Sequence, residues 1–236
     1  MRLRRLRDDQ WDRIRDALPG RKGSVGVTAE DNRRFVDAVL YRYRTGMPWR
    51  DLPADLGCWN NTHRRFSRWA KLGVWRGILA VLAEDADNEY DMIDSTVVRA
   101  HQHSAGARKA DGDQAIGRSR GGLSTKIHTL VDALGNPLGI VLTGGKAHDL
   151  EGADALLPGM AADELLADKA YDADKRVIDR LKAAGKTAVI PLKSNRKNPR
   201  PYDKARYEAR HLIENFYCWI KQFRAIAVIG AKPWAR

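Results

Sequence analysis

Four side chains late in the chain have types and spacing suited to holding a charged group: Tyr207, Arg210, Glu214 and Lys221. They follow one another at offsets of three, four and seven. With about 3.6 residues per helical turn, those offsets place all four within a stripe roughly 60° wide. Leu212, Ile213, Phe216 and Ile220 fall on another part of the same helix and can face a core. One face then carries an acid flanked by two cations and a phenol. A solvated helix face laced with charge pairs has the same pattern. What distinguishes the two readings is a pair of distant aspartates. Asp94 closes Asp91-Met-Ile-Asp94, and Asp168 closes Glu164-Leu-Leu-Ala-Asp168, each an apolar, strand-like run ending in an acid.

In open α/β sheets, ligands gather outside the carboxyl ends of parallel strands. Two strands lying side by side there, with the last helix packed across them, can bring Asp94, Asp168 and Glu214 to one point. Converging carboxylates repel by about 4 kcal/mol per pair at 4 Å and an effective dielectric of about 20. Protons or cations must offset that. An all-oxygen donor set suits Mg²⁺ or Mn²⁺. Two such ions, about 3.5–4 Å apart, can serve the attacking and leaving oxygens of a phosphodiester when DNA is bound. The expected ligands are therefore Asp94, Asp168 and Glu214.

The charge balance points to the same substrate. The formal net charge is +12, from 42 Lys and Arg against 30 Asp and Glu. Solubility alone is met by a net charge within about 8, so the excess suggests a polyanionic partner. At 236 residues with 43% hydrophobic content, one good core and a smaller second domain are possible. No apolar run is long enough to cross a bilayer, and no signal peptide is evident, so a cytoplasmic protein without a membrane partner is expected. Cys58 and Cys218 lie far apart, which fits a reducing compartment and excludes a disulfide framework.

Residues 1–84 read as a helical domain. Trp11, Ile14 and Leu18 recur at helical spacing before Pro19-Gly20. Thr28 with Asp31 resembles a capping box, and Phe35, Val36, Val39, Leu40 and Tyr43 form the stripe of the next helix, ended at Thr45-Gly46. A short helical piece near Trp49, a break at Gly57, and a basic helix capped by Asn60 form a helix-turn-helix pattern. That last helix turns Phe66 and Trp69 inward and His63, Arg64, Arg68 and Lys71 outward. Such a basic face suits DNA, and it also suits a plain solvated surface.

Residues 89–236 change texture. A strand ends near Val98. A Gly- and Arg-rich basic loop over 104–122, carrying Arg118 and Arg120, follows it. A hairpin runs from Thr125 through the turn at Leu134-Gly135-Asn136-Pro137 to Leu142. Then come a helix from Asp149 with Asp149 as its cap, the strand 164–168, a helix capped by Asp172, a strand 187–192, a basic loop, and the helix first described. Three strands followed by alternating helices and strands is the element order of the ribonuclease H-like fold, a mixed sheet flanked by helices. His101, His103, His128 and His148 lack the partners of a zinc site and are expected to bond locally or to DNA. Asp91 points away from Asp94 in a strand and is set aside. Ser95 and Thr96 have no general base of a triad kind.

Several segments resemble the DDE transposases of the insertion sequence five family. Tyr41-Arg-Tyr-Arg-Thr-Gly-Met-Pro-Trp-Arg-Asp-Leu-Pro is similar to that family's opening domain. Asp94-Ser-Thr-Val-Val-Arg-Ala-His-Gln-His-Ser-Ala-Gly-Ala and Gly117-Arg-Ser-Arg-Gly-Gly-Leu-Ser-Thr-Lys-Ile-His are similar to its first catalytic block. Asp168-Lys-Ala-Tyr171-Asp resembles the second, and the helix at 207–221 resembles the Tyr-x2-Arg-x3-Glu-x6-Lys signature at all four positions. The resemblance implies that Asp94, Asp168 and Glu214 hold the metal ions and that Tyr207, Arg210 and Lys221 contact DNA near the cut. It also implies double-stranded DNA partners, the element's terminal inverted repeats and target DNA. A homodimer at least is implied when two ends are synapsed, in a bacterial, nucleoid-associated setting. The reaction implied is hydrolysis at the element's ends followed by strand transfer. After Phe223-Arg-Ala-Ile-Ala227 the sequence departs from the family, and Pro233 forbids a long helix there. That departure suggests a shortened copy, with the alternative of a DNA-binding competitor or repressor without turnover.

Overall fold

The computed structural model describes residues 5–20, 29, 31–101 and 115–229. They form two compact units, one running to Asp85 and joined by the segment from Lys221, the other spanning Ala86–Ile220.

The first unit is helical, with α1 (Asp8–Ile14), α2 (Asn32–Thr45), α3 (Trp59–Lys71) and α4 (Val74–Ala83). Asp31 itself caps α2, its carboxylate accepting the Arg34 amide at 2.8 Å. Thr28, expected to share that role, lies outside the described residues. Gly46, in the left-handed region at φ 72°, ends α2. Its bareness also matters for packing: a Cβ there would meet the Cβ of Arg224 at 2.9 Å, where the short helix Arg224–Ala227 lies against α2. Ile14, Leu18, Phe35, Val36, Val39, Phe66, Trp69 and Ile78 make the core. Phe35 and Trp69 meet edge to face at 4.8 Å, and the Arg65 guanidinium stacks over Phe35 at 4.2 Å. The short piece before α3 is two 3₁₀ turns, Trp49–Asp51 and Ala54–Leu56. Cys58, not Asn60, precedes α3 as its cap residue.

The second unit is built on β1 (Asp91–Ala100), β2 (Gly117–Ser119), β3 (Gly122–Val131), β4 (Pro137–Gly144), β5 (Glu164–Ala167) and β6 (Thr187–Val189). β1 runs antiparallel to β3 and parallel to β5, which is parallel to β6. β3 is antiparallel to both β2 and β4. With β1 on one edge of β3, β2 and β4 share the other edge end to end. The helices are α5 (Asp149–Leu156), α6 (Asp179–Ala183), α7 (Lys204–Tyr207) and α8 (His211–Ile220), a 3₁₀ turn at Glu208–Arg210 joining the last two. This mixed sheet flanked by helices is the ribonuclease H-like arrangement read from the element order. Ile93, Leu130, Leu150, Ala153, Leu165 and Tyr171 lie in the core between the sheet and α5. Gly152 lets α5 sit close on β3, since a Cβ there would fall 2.4 Å from the His128 ring.

Three local expectations are corrected. Within the stretch read as a basic loop, residues 117–122 form the β2–β3 hairpin instead. His148, not Asp149, caps α5: its Nδ1 accepts the Leu150 amide at 3.2 Å, and the His148 amide donates to Glu151 Oε1 at 3.3 Å. Asp172 caps no helix. Its side chain, 1% exposed, pairs with Arg196 and Arg200 and accepts the Lys193 amide at 2.9 Å. Acids near a helix start look like caps in a sequence, whereas burial beside distant arginines is settled only by the fold.

Candidate active site

The register of β1 with β5 decides where the first two acids go. Ile93 pairs with Ala167, so Asp94 and Asp168 emerge side by side just past the paired ends of two parallel strands. Each has one oxygen tied to backbone. Asp94 Oδ1 accepts the Ser95 amide at 2.7 Å, and Asp168 Oδ1 accepts the Ala170 amide at 2.9 Å. Asp94 Oδ2 turns to α8 and accepts from Arg210 Nη1 at 2.9 Å. The other arm of the same guanidinium, Nη2, pairs with Glu214 Oε1. Arg210 thus bridges Asp94 and Glu214, and it lies 5.8 Å from the Tyr207 ring centre.

Burial pushes the Asp94 carboxyl above the ordinary aspartate range, and nearby Asp168 adds to the rise. The Ser95 amide and Arg210 offset part of it. The acids are therefore crowded enough to feel one another, and a guanidinium supplies the cation between two of them. Among the described residues, no three of His, Cys, Asp or Glu stand together as a ready-made metal site. Arg210 stands between Asp94 and Glu214, bonded to both.

Two buried phenols lie near the acids, Tyr217 on the α8 side and Tyr171 in the core between the sheet and α5. Tyr217 donates to the carbonyl oxygen of Asp94 at 2.6 Å. Among the described residues the Tyr171 hydroxyl has no hydrogen-bond partner, and burial together with Asp149, Asp94 and Asp168 raises its pKa. On the opposite face of the sheet, Ser95 Oγ donates to Asp149, which Lys126 also holds at 3.1 Å. The sequence reading missed Tyr217, although it follows Glu214 by three positions and Arg210 by seven, a spacing that places it toward the same side of the helix.

The remaining expected residues sit on other elements. Lys221 is exposed in the turn after α8 and belongs to the helical unit. Arg64 and Arg68 are exposed on α3 beside His63, Ser67 and Lys71, around a shallow basic concavity. Arg118 is exposed on β2 and Arg120 in its turn, beyond the Arg99 end of β1. At about 3.4 Å per strand residue, that end is roughly 17 Å along β1 from Asp94. His128 bonds Thr143 at 2.8 Å and His148 caps α5, both local roles, while His103 lies outside the described residues.

Residues 92–233 match the family described as "Transposase DDE domain", and residues 6–79 match one described as "Putative transposase of IS4/5 family". The chain belongs to the IS4/5-family DDE transposases. It is 56% identical over 108 residues to "Uncharacterized protein y4sN" of Sinorhizobium fredii, covering 45% of this chain and 86% of that protein. It is 38% identical over 110 residues to "Putative transposase for insertion sequence element IS6501" of Brucella ovis, covering 45% of this chain and 82% of that one. It is 31% identical over 105 residues to "Insertion element IS402 uncharacterized 16.2 kDa protein" of Burkholderia cepacia, covering 39% and 71%. No solved structure matches it. DDE transposases bind DNA and use divalent metal ions. In this transposase the donors at the strand ends are all carboxylate oxygens, a set that fits a hard divalent cation. No described helix is long and apolar enough to cross a membrane.

Proposed function

We propose that the protein cuts phosphodiesters at the inverted-repeat ends of its insertion sequence and joins the freed 3′ ends to target DNA. The observation that carries this reading is that Asp94, within β1, and Asp168, just after β5, follow the last pair of the two parallel strands, with Glu214 linked to Asp94 through Arg210. Asp94, Asp168 and Glu214 are the residues that would hold Mg²⁺ or Mn²⁺, two ions when DNA is bound. Such ions supply charge for the developing oxyanions and lower the pKa of the attacking water.

The chain's own residues do the rest. Arg210 offsets the crowded acids before a cation is present, and its fork suits a phosphate once it is released. Tyr207, at the rim of the same face, can stack on a base lifted from the duplex end. Lys221, Arg64, Arg68, Arg118 and Arg120 are exposed cations that can follow the DNA backbone, which is where sequence-independent affinity comes from. Two ends held at once require at least two copies of the chain. The setting is the bacterial cytoplasm, with the nucleoid as the source of both donor and target DNA.

The test is nicking of a terminal repeat in Mg²⁺ or Mn²⁺ by the wild type and by Asp94→Asn, Asp168→Asn and Glu214→Gln. Cleavage should fall by several orders of magnitude in each variant while binding to the repeat persists. Cleavage surviving in all three would remove the acids from the mechanism. A wild type that binds the repeat and never cuts would leave a DNA-binding competitor as the function.

A further inference from the structure

We propose that Tyr217 and Ser95 are positioning residues for Asp94, clamping the Asp94–Ser95 peptide from opposite faces of the sheet. This rests on the reading of Asp94 as a cation-holding acid.

Consecutive residues of a strand point to opposite faces. The Asp94 side chain meets Arg210 on the α8 face, and the Ser95 side chain meets Asp149 on the α5 face. On the α8 face, the buried Tyr217 hydroxyl donates at 2.6 Å to the Asp94 carbonyl and lies 3.5 Å from the Ile127 carbonyl. That bond ties α8 to β1 at the catalytic residue itself. Because Tyr217 and Glu214 share α8 and Arg210 ends the 3₁₀ turn that leads into it, the bond also sets the rotation that presents Glu214 and Arg210 to Asp94.

On the α5 face, Ser95 is anchored by a braced acceptor. Asp149 is held by Lys126 at 3.1 Å, and Lys126, 14% exposed at its side chain, donates at 2.7 Å to the Ala147 carbonyl. The anchored Ser95 then uses its own amide to hold Asp94 Oδ1 at 2.7 Å. With Oδ1 fixed, Oδ2 is the oxygen left to face α8. Tyr217 sets the backbone of Asp94 and Ser95 sets its carboxylate. Displacing a reacting group by about 1 Å can cost about 100-fold in rate, so a carboxylate pinned on both sides is worth two buried networks.

The experiment uses the full chain with Tyr217→Phe and Ser95→Ala, singly and together. Mn²⁺ binding is measured by calorimetry, alongside nicking rate, repeat-DNA affinity and thermal unfolding. Each substitution should weaken Mn²⁺ binding about tenfold, the usual effect of losing a partner that orients a ligand. Each should also slow nicking, with DNA affinity unchanged. In an Asp94→Asn background neither should weaken the remaining Mn²⁺ binding further. Folded variants with wild-type Mn²⁺ affinity and nicking rate would overturn the clamp and leave both residues as packing. An equal loss in the Asp94→Asn background would overturn it too, by showing an effect that bypasses Asp94. A wild type without Asp94-dependent Mn²⁺ binding would sink the underlying reading of the site, and the clamp with it.

Discussion

Arg210 is the residue on which the resting site turns. Its guanidinium is 17% exposed and bonds both Asp94 and Glu214, so it takes the position of a cation among acids that otherwise repel. Burial weighs against its charge, yet Asp94, Tyr207 and Glu214 outweigh that and raise its pKa. Removing one partner of a well-buried pair costs about 3–5 kcal/mol. Glu214 is 56% exposed, so this bridge sits below that range, at about 2 kcal/mol. Arg210→Ala should therefore unfold at a lower temperature without metal and regain more of its stability when Mn²⁺ is added. A ligand at about 100 times its dissociation constant stabilises by about 2.7 kcal/mol. In the wild type part of that is used to displace the guanidinium; in the variant none is. Unfolding scans with and without MnCl₂ check it, and equal Mn²⁺-induced shifts in the two proteins would show that Arg210 does not compete for the site. The identities of these residues were readable from offsets along one helix. Their pairing was not, because the same stripe serves a solvated face, and only the approach of β1 decides that Arg210 reaches Asp94.

At the scale of elements, β1 carries two acids with different fates. Asp94 sits beside Asp168, whereas Asp91 at the strand's start is fully buried, and among the described residues neither of its oxygens makes a hydrogen bond of good geometry. Burial pushes its pKa up to about 6, a rise that the nearby Ala162 and Ala161 amides and Lys186 only partly oppose. Since the folded-state value lies above the ordinary 3.8, protonated Asp91 favours the fold. Its contribution is fully present below about pH 4 and is lost as pH rises through about 6, a change of at most about 3 kcal/mol. Urea unfolding from pH 4.5 to 7.5 should show Asp91→Asn with a flatter stability profile than the wild type and the larger relative gain at neutral pH. Parallel profiles would mean that Asp91 keeps an ordinary pKa. Strand alternation was enough to read from the sequence that Asp91 and Asp94 part company, and apolar runs marked β1, β5 and the β3–β4 hairpin. The short β2, hidden among Gly and Arg, was not legible, since its three residues have no apolar period and gain strand form only by pairing with Gly122–Ser124. Asp149 and Asp172 were misread for the converse reason. Their local sequence matches a cap, while long-range partners such as Ser95, Lys126 and Arg196 hold them elsewhere.

At the scale of the whole molecule, the net charge of +12 is concentrated in the helical unit, which has 22 Lys and Arg against 11 Asp and Glu, while the sheet-bearing unit has 20 against 19; each has its own buried cluster. The acids that would hold cations belong to one unit, and the exposed Arg64 and Arg68 of α3 belong to the other. If α3 lies along the DNA backbone, each arginine that neutralises a phosphate adds about 0.9 to the slope of log affinity against log salt. The double variant Arg64→Ala, Arg68→Ala should then bind repeat DNA more weakly at low salt, with a slope shallower by up to about 1.8. Both side chains are exposed, so stability should change by no more than about 0.5 kcal/mol. Mn²⁺ binding, proposed for Asp94 and its neighbours, should be unchanged. Filter-binding titrations across a salt series supply the slope, and calorimetry supplies the Mn²⁺ comparison. An unaltered slope would move the DNA contact off α3 and onto the other exposed cations, Arg118 and Arg120 first, because a basic face that neutralises no phosphate releases no counterions.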